Sequence, residues 1–180
     1  MAVNYAKIAK AEQVNIQGGY RNVVLFAPRD TFLTFGTPVS PAVALGDEVS
    51  IATAHTFGAN DGFISWLNKK HSVTTTSETT GDAGAQSLVH HAKFTLLGDS
   101  ASTLEQLRNL LNDDCIFLLK DQDCINGQYV QLGDECLCPN VKVSFDGKTT
   151  AEGLKEYTIE IDVKDKKYFY NAAVTEKPVV

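Results

Sequence analysis

The sequence predicts a mainly β protein: an antiparallel β-sandwich or barrel with one flanking α-helix and a long β-hairpin arm. Three observations lead there. About eight short runs rich in β-branched and aromatic residues recur along the chain, separated by Gly, Pro, Asn and Asp. Only one segment combines helical apolar spacing with a start signal. One pair of runs, residues 72–97, reads as a single hairpin whose first strand has almost no large apolar side chain. At 180 residues and 43% hydrophobic, the chain is long enough to build a core without metal or disulfide. We expect an N-terminal arm over residues 1–20 and a single domain over residues 21–180.

Taken in order, the arm is rich in Lys, Asn and Gln and closes at Gly18-Gly19. Residues 23–27 (Val-Val-Leu-Phe-Ala) form the first strand, ended by Pro28, and residues 31–35 the second, ended by Gly36 and Pro38. Pro38, Pro41 and Gly46 mark a connecting loop. Residues 49–54 alternate like a half-buried strand. Residues 63–67 fit a short helix or a strand equally well, because short apolar runs are not settled by periodicity. The hairpin follows, with Gly81-Asp82-Ala83-Gly84 as its tip. On its return strand, Val89, His91, Lys93 and Thr95 share one face, and His90, Ala92, Phe94 and Leu96 the other.

Ser102-Thr103-Leu104-Glu105 reads as a capping box, opening a helix over residues 103–111 with a stripe of Leu104, Leu107, Leu110 and Leu111. Residues 115–119 (Cys-Ile-Phe-Leu-Leu) are a buried strand, and Asn126-Gly127 is the favoured pair for a tight hairpin turn into residues 129–132. Residues 141–145 and 157–163 alternate, the second placing Tyr157, Ile159, Ile161 and Val163 inward. A last strand begins at residues 168–170.

No catalytic constellation emerges, and the reading is not an enzyme. There is no Gly-rich loop between a strand and a helix and no Gly-x-Ser-x-Gly. His90 and His91 point to opposite faces of one strand. Cys115, Cys124, Cys136 and Cys138 lack paired zinc spacing and read as free thiols. Asp121-Gln122-Asp123 fails as a calcium loop, since the Gly falls one place late and Leu132 stands where a Glu is needed. No cofactor is expected. No run approaches the roughly 18 apolar residues of a membrane-spanning helix, and no export signal is legible.

The net charge of -6 argues against DNA binding through phosphate neutralisation. The acids concentrate late: Asp113, Asp114, Asp121, Asp123, Asp134 and Glu135 share a window with only Lys120 as a base, and Glu160 and Asp162 share the polar face of an alternating strand. The six window acids read either as a solvated rim of loops or as a concave acidic surface that repels phosphate and leaves passing DNA unbound, with Glu160 and Asp162 as further candidates for that surface.

The order of elements then resembles a known family. A long polar hairpin runs into "LLGDSASTLEQLRNLLNDD", then "CIFLLKDQDCINGQYVQLGDE", then further strands. This is similar to the tube-forming (major tail) proteins of bacteriophage tails, which are related to the tube proteins of contractile injection and type VI secretion systems. The resemblance covers roughly residues 23–174 and is one of element order and size. It implies a structural virion protein, made in the bacterial host cytoplasm, whose copies form rings, commonly hexameric. The rings stack into a channel for DNA and meet other tail proteins, with DNA only as non-specific cargo and no membrane partner. The hairpin tip, Thr79, Thr80, Gly81, Asp82, Ala83, Gly84, Ala85 and Gln86, is then the candidate oligomer interface, and the eight acids the candidate channel lining. Other readings remain: a tail terminator, a head-tail connector, a capsid decoration protein, or a carbohydrate-binding or adhesion module presenting Trp66, Tyr168 and Tyr170.

Overall fold

A computed structural model of the protein describes residues 19–122, 128–149, 151 and 153–178. The described residues form a mainly β structure with a single α-helix. Its strands are β1 (Tyr20–Pro28), β2 (Phe32–Thr34), β3 (Ser50–Ile51), β4 (Thr56–Phe57), β5 (Ile64–Leu67), β6 (Thr74–Thr80) and β7 (Ser87–Leu97). After helix α1 (Ala101–Leu110) come β8 (Cys115–Asp121), β9 (Tyr129–Leu132), β10 (Asn140–Asp146), β11 (Glu156–Lys164) and β12 (Lys167–Tyr170). A six-stranded sheet has the order β3-β12-β9-β8-β1-β5, and a four-stranded sheet the order β10-β11-β7-β6. Strands β2 and β4 make a separate ribbon. The two main sheets pack face to face as a sandwich, and the described residues close no barrel.

The six-stranded sheet is buried on both faces. That is why residues 115–119 are apolar without alternation, as strands covered on both sides are. Cys115, Phe117 and Leu119, with Val24 and Phe26 of β1, face the four-stranded sheet and share a cluster with its Phe94, Ile159 and Ile161. Ile116 and Leu118 face the other way, with Leu25 and Ala27, into a second cluster closed by Phe32, Ile51, Phe63, Tyr168 and Tyr170. By contrast, β11 alternates cleanly, because only one face of the four-stranded sheet is covered: Tyr157, Ile159, Ile161 and Val163 are buried, as the sequence predicts.

Several expectations need correction. Of residues 31–35, Thr31 belongs to a 3-10 turn (Arg29–Thr31), leaving the short β2. Of residues 49–54, only Ser50–Ile51 is strand, since it has just Phe169 and Tyr170 of β12 to pair with. Of the ambiguous residues 63–67, Ile64–Leu67 is strand, paired with β1 from Val23 to Phe26, and Phe63 makes an isolated bridge to Glu176. The hairpin is less of an arm than its composition suggests. Its return strand β7 lies inside the four-stranded sheet, and His90, Ala92, Phe94 and Leu96 are buried there. The Asn126-Gly127 turn lies outside the described residues, although β8 and β9 pair as an antiparallel hairpin up to Lys120 and Tyr129.

The helix begins two residues earlier than the capping box implies. Ser100, not Ser102, is the N-cap: its Oγ accepts the Thr103 N–H at 3.1 Å. The helix touches the core only through Leu107 and Leu110, while Leu104 and Leu111 stay exposed. Ser100→Ala should therefore cost about 1 kcal/mol of stability through the lost cap. Ser102→Ala, in the first helical turn, should cost no more than about 0.5 kcal/mol, as for surface changes generally. Urea denaturation of the two variants checks the assignment.

Candidate functional site

Three regions bear on function: the outer face of the four-stranded sheet, the hairpin tip, and a buried histidine in the second cluster. The outer face follows from period two. Residues of β11 that alternate with its buried ones point away from the core, and the register then fixes their neighbours. Lys142 lies opposite Glu160, Glu160 opposite Lys93, and Lys93 opposite Thr74. One row further along, Asn140, Asp162, His91 and Thr76 are in line. Lys93 Nζ donates to Glu160 at 2.9 Å, and Lys142 Nζ to Asp162 at 2.8 Å. His91 bonds Asp162 at 2.5 Å and Glu78 at 3.3 Å. The bond to Asp162 leads in raising the His91 pKa, favouring imidazolium. Partial burial opposes ionisation of Asp162, but its bonds from Lys142 and His91 prevail and hold the carboxyl below the usual range.

The eight acids chosen from sequence do not share one surface. Glu160 and Asp162 share an outer face as expected, but each carries cations from the neighbouring strands. Asp113 and Asp114 follow the helix and flank Arg29 in an open polar cleft of about 490 Å³, with Arg29 3.7 Å from Asp114. Asp121 ends β8, seven residues along the chain from Asp114 and, at the rise of an extended strand, roughly 23 Å from it. Asp134 is a loop-organising residue. Its carboxylate accepts the N–H groups of Cys136 and Leu137, the Tyr168 hydroxyl at 3.1 Å and Lys166 at 2.8 Å. Burial works against its charge, and these donors outweigh it, so its pKa is lowered. Glu135 is exposed beside it. Asp123 and Cys124 lie outside the described residues.

The hairpin tip projects beyond the sheet. Strand β11 accompanies β7 only as far as Val89. There Leu88 and Asp165 close the sheet: the Leu88 N–H donates to Asp165 Oδ1, and the Asp165 N–H to the Leu88 carbonyl, each at 2.8 Å. Past that point Thr79, Thr80, Gly81, Asp82, Ala83, Gly84, Ala85 and Gln86 are all exposed. Among the described residues, a two-stranded ladder and one turn bond, Ala85 N–H to the Asp82 carbonyl at 2.9 Å, hold them.

Sequence reasoning missed the third region. His55 is buried in an aromatic box of Phe32, Phe35, Phe63 and Tyr170, stacked on Tyr170 at 4.9 Å. The Gly36 N–H donates to Nδ1 at 3.0 Å, which leaves the proton on Nε2 to donate to Gln131 Oε1 at 2.8 Å. Gln131 in turn donates to the Gly133 carbonyl. A polar Gln between Val130 and Leu132 in a buried strand was the available signal, since a buried amide needs a partner.

Burial lowers the His55 pKa, against a smaller opposing effect of Gln131. The folded protein thus binds this proton less readily than the unfolded chain. The stability it contributes is full above about 6.5, the unfolded value, and falls as pH drops towards the folded pKa. His90, lowered chiefly by burial, acts the same way. His91 acts oppositely: its contribution is full below about 6.5 and lost as pH rises through its raised folded pKa. We expect the melting temperature to fall from pH 7.5 to 5, and to fall more steeply in His91→Gln. A flat or rising profile in His91→Gln contradicts the His55 assignment.

The thiol of Cys115 is buried and pushed up to about 12 by desolvation, so it is an inert core group. Cys136 is exposed and Cys138 half-buried. Tyr168 and Tyr170 are buried, and Trp66 packs edge-on against Phe26 at 4.5 Å. They do not form the exposed aromatic face that a sugar-binding module requires. Among the described residues no cluster of His, Cys, Asp and Glu is arranged to hold a metal ion, and no helix is long and apolar enough to cross a membrane. No family model matches the chain, and neither a curated protein nor a solved structure does.

Proposed function

We propose that this chain is a structural subunit that assembles with copies of itself into rings, as its resemblance to phage tail-tube proteins implies. One observation carries the reading: the two edges of the four-stranded sheet match. Both edge strands, β6 and β10, are seven residues long, and among the described residues neither pairs with a strand on its outer side. Neighbouring strands in this sheet are all antiparallel. The position beyond β6 therefore calls for a strand running in the direction of β10. Copies set side by side extend one antiparallel sheet, and ring closure removes the edges that an isolated sheet leaves open. The outer face suits a wall. Its rows of alternating charge are internally paired, so it offers passing DNA neither a strong anchor nor a strong repulsion. That replaces the purely acidic wall by a nearly neutral one. The reading places the protein in a virion, with no catalytic role.

The hairpin tip then reaches a neighbouring ring. Replacing residues 80–87 by Asn-Gly closes the hairpin on the Thr79↔Leu88 pair with a two-residue turn. The variant should stay folded and form single rings or monomers, without long tubes in electron micrographs. Tubes of normal length from that variant would remove the tip from the interface.

A further inference from the structure

The longest connection of the second cluster's cover, residues 35–49, carries exposed apolar side chains. Val43 is 90% exposed and Leu45 75%. This is a built feature. Asp47 Oδ2 accepts the N–H groups of Val43 at 3.0 Å and Ala44 at 2.7 Å, and the Asp47 N–H returns to the Ala44 carbonyl. Gly46, at φ 99°, supplies the left-handed residue that the turn requires. The result is a small finger with two aliphatic side chains pointed outward and the exposed Glu48 beside them.

On the opposite flank the molecule has a groove of about 230 Å³, part apolar and part polar. Its walls are Ser65, Trp66 and Leu67 of the edge strand β5, Leu96 and Leu97 at the end of β7, and Thr103 and Gln106 of α1. Leu67 is 72% exposed. Lys69, Lys70 and His71 follow directly. Lys69 is paired with Glu156 at 2.8 Å, and Lys70 is exposed. Lys70 thus sets an exposed cation three residues beyond Leu67, opposite in sign to the exposed Glu48 of the finger.

The finger leads into β3, at one edge of the six-stranded sheet, and the groove borders β5, at the other. Five strand spacings, about 24 Å, separate them, so a copy does not fill its own groove. We propose that the finger of one copy seats Val43 and Leu45 in the β5 groove of the next copy, with Glu48 towards Lys70. Finger and groove lie at opposite edges, so the contact is head-to-tail, the kind that generates rings or filaments. It also continues the sheet-edge contact proposed above. The chain passes from β5 to β6 in six residues, and Tyr20 of β1 bonds Thr75 of β6 at 3.0 Å, so the groove and the open edge of β6 share a flank. The inference rests on the reading that copies assemble, and it names a second surface for that assembly.

Sedimentation velocity over a concentration series tests it on the full chain. Val43→Asp with Leu45→Asp, and separately Leu67→Asp, should raise the concentration needed for assembly about tenfold or more, with unchanged circular dichroism. Glu48→Lys and Lys70→Glu should each weaken assembly, and the two together should restore it. These exposed charges carry the test even if an Asp variant folds poorly. Finger variants that assemble like the wild type overturn the inference and leave self-assembly standing. Groove variants that fail while finger variants do not also overturn it, and give the groove a different occupant. A wild type that never assembles overturns both this inference and the function proposed above.

Discussion

Phe117→Ala should destabilise the protein by about 3–5 kcal/mol, the range for removing a large aromatic side chain from a core. Phe117 is fully buried at the centre of β8, stacked 6.0 Å from Phe26, in the cluster between the two sheets. Its strand is hydrogen-bonded on both sides, to β1 and β9, so the backbone has little freedom to collapse into the cavity. The cost should lie at the upper end for that reason. Ile116→Val, one residue away but facing the second cluster, should cost about 0.5–1.5 kcal/mol. Equilibrium urea denaturation measures both. A Phe117→Ala loss below about 1 kcal/mol would mean that the sheets do not pack as described.

Gly36→Ala should be nearly as damaging, for a different reason. A Cβ on Gly36 would stand 1.9 Å from the Thr53 carbonyl oxygen and 3.0 Å from its carbon. Both are backbone atoms, so no side-chain rotation relieves the clash. Pushing the segments apart costs about 1–3 kcal/mol by overpacking. It also breaks the Gly36 N–H bond to His55 Nδ1, leaving a buried acceptor unmet at about 1–3 kcal/mol. The second cluster should loosen while the first holds. Hydrogen exchange should therefore rise in β2, β3 and β4 and stay low in β7 and β11. Uniform exchange throughout would argue against two separable clusters.

Much of the fold is legible where one face of an element decides the pattern. The alternation of β11, the unbroken apolar run of β8 and the turn residues at the hairpin tip each reflect a local rule. The short strands around the second cluster were misjudged, because their length is set by how far a partner runs and not by their own residues. The helix cap failed through a competing serine: Ser102 has the Glu three residues on and Ser100 does not, yet the extended backbone at Ser100 makes it the cap. At the candidate site, Glu160 and Asp162 were readable as neighbours two residues apart. Lys93, Lys142 and His91, which neutralise them, come from strands 67, 20 and 71 positions away, and only the cross-strand register brings them there. Val43 and Leu45 were unreadable as surface residues, since in a sequence an aliphatic side chain argues for burial.

The proposed assembly is tested most directly by electron microscopy of the purified protein, paired with its sedimentation profile. The account predicts closed rings that stack into tubes as concentration rises, with the four-stranded sheets joined edge to edge around the ring. A single monomeric boundary at every concentration, with no rings on the grid, would contradict it.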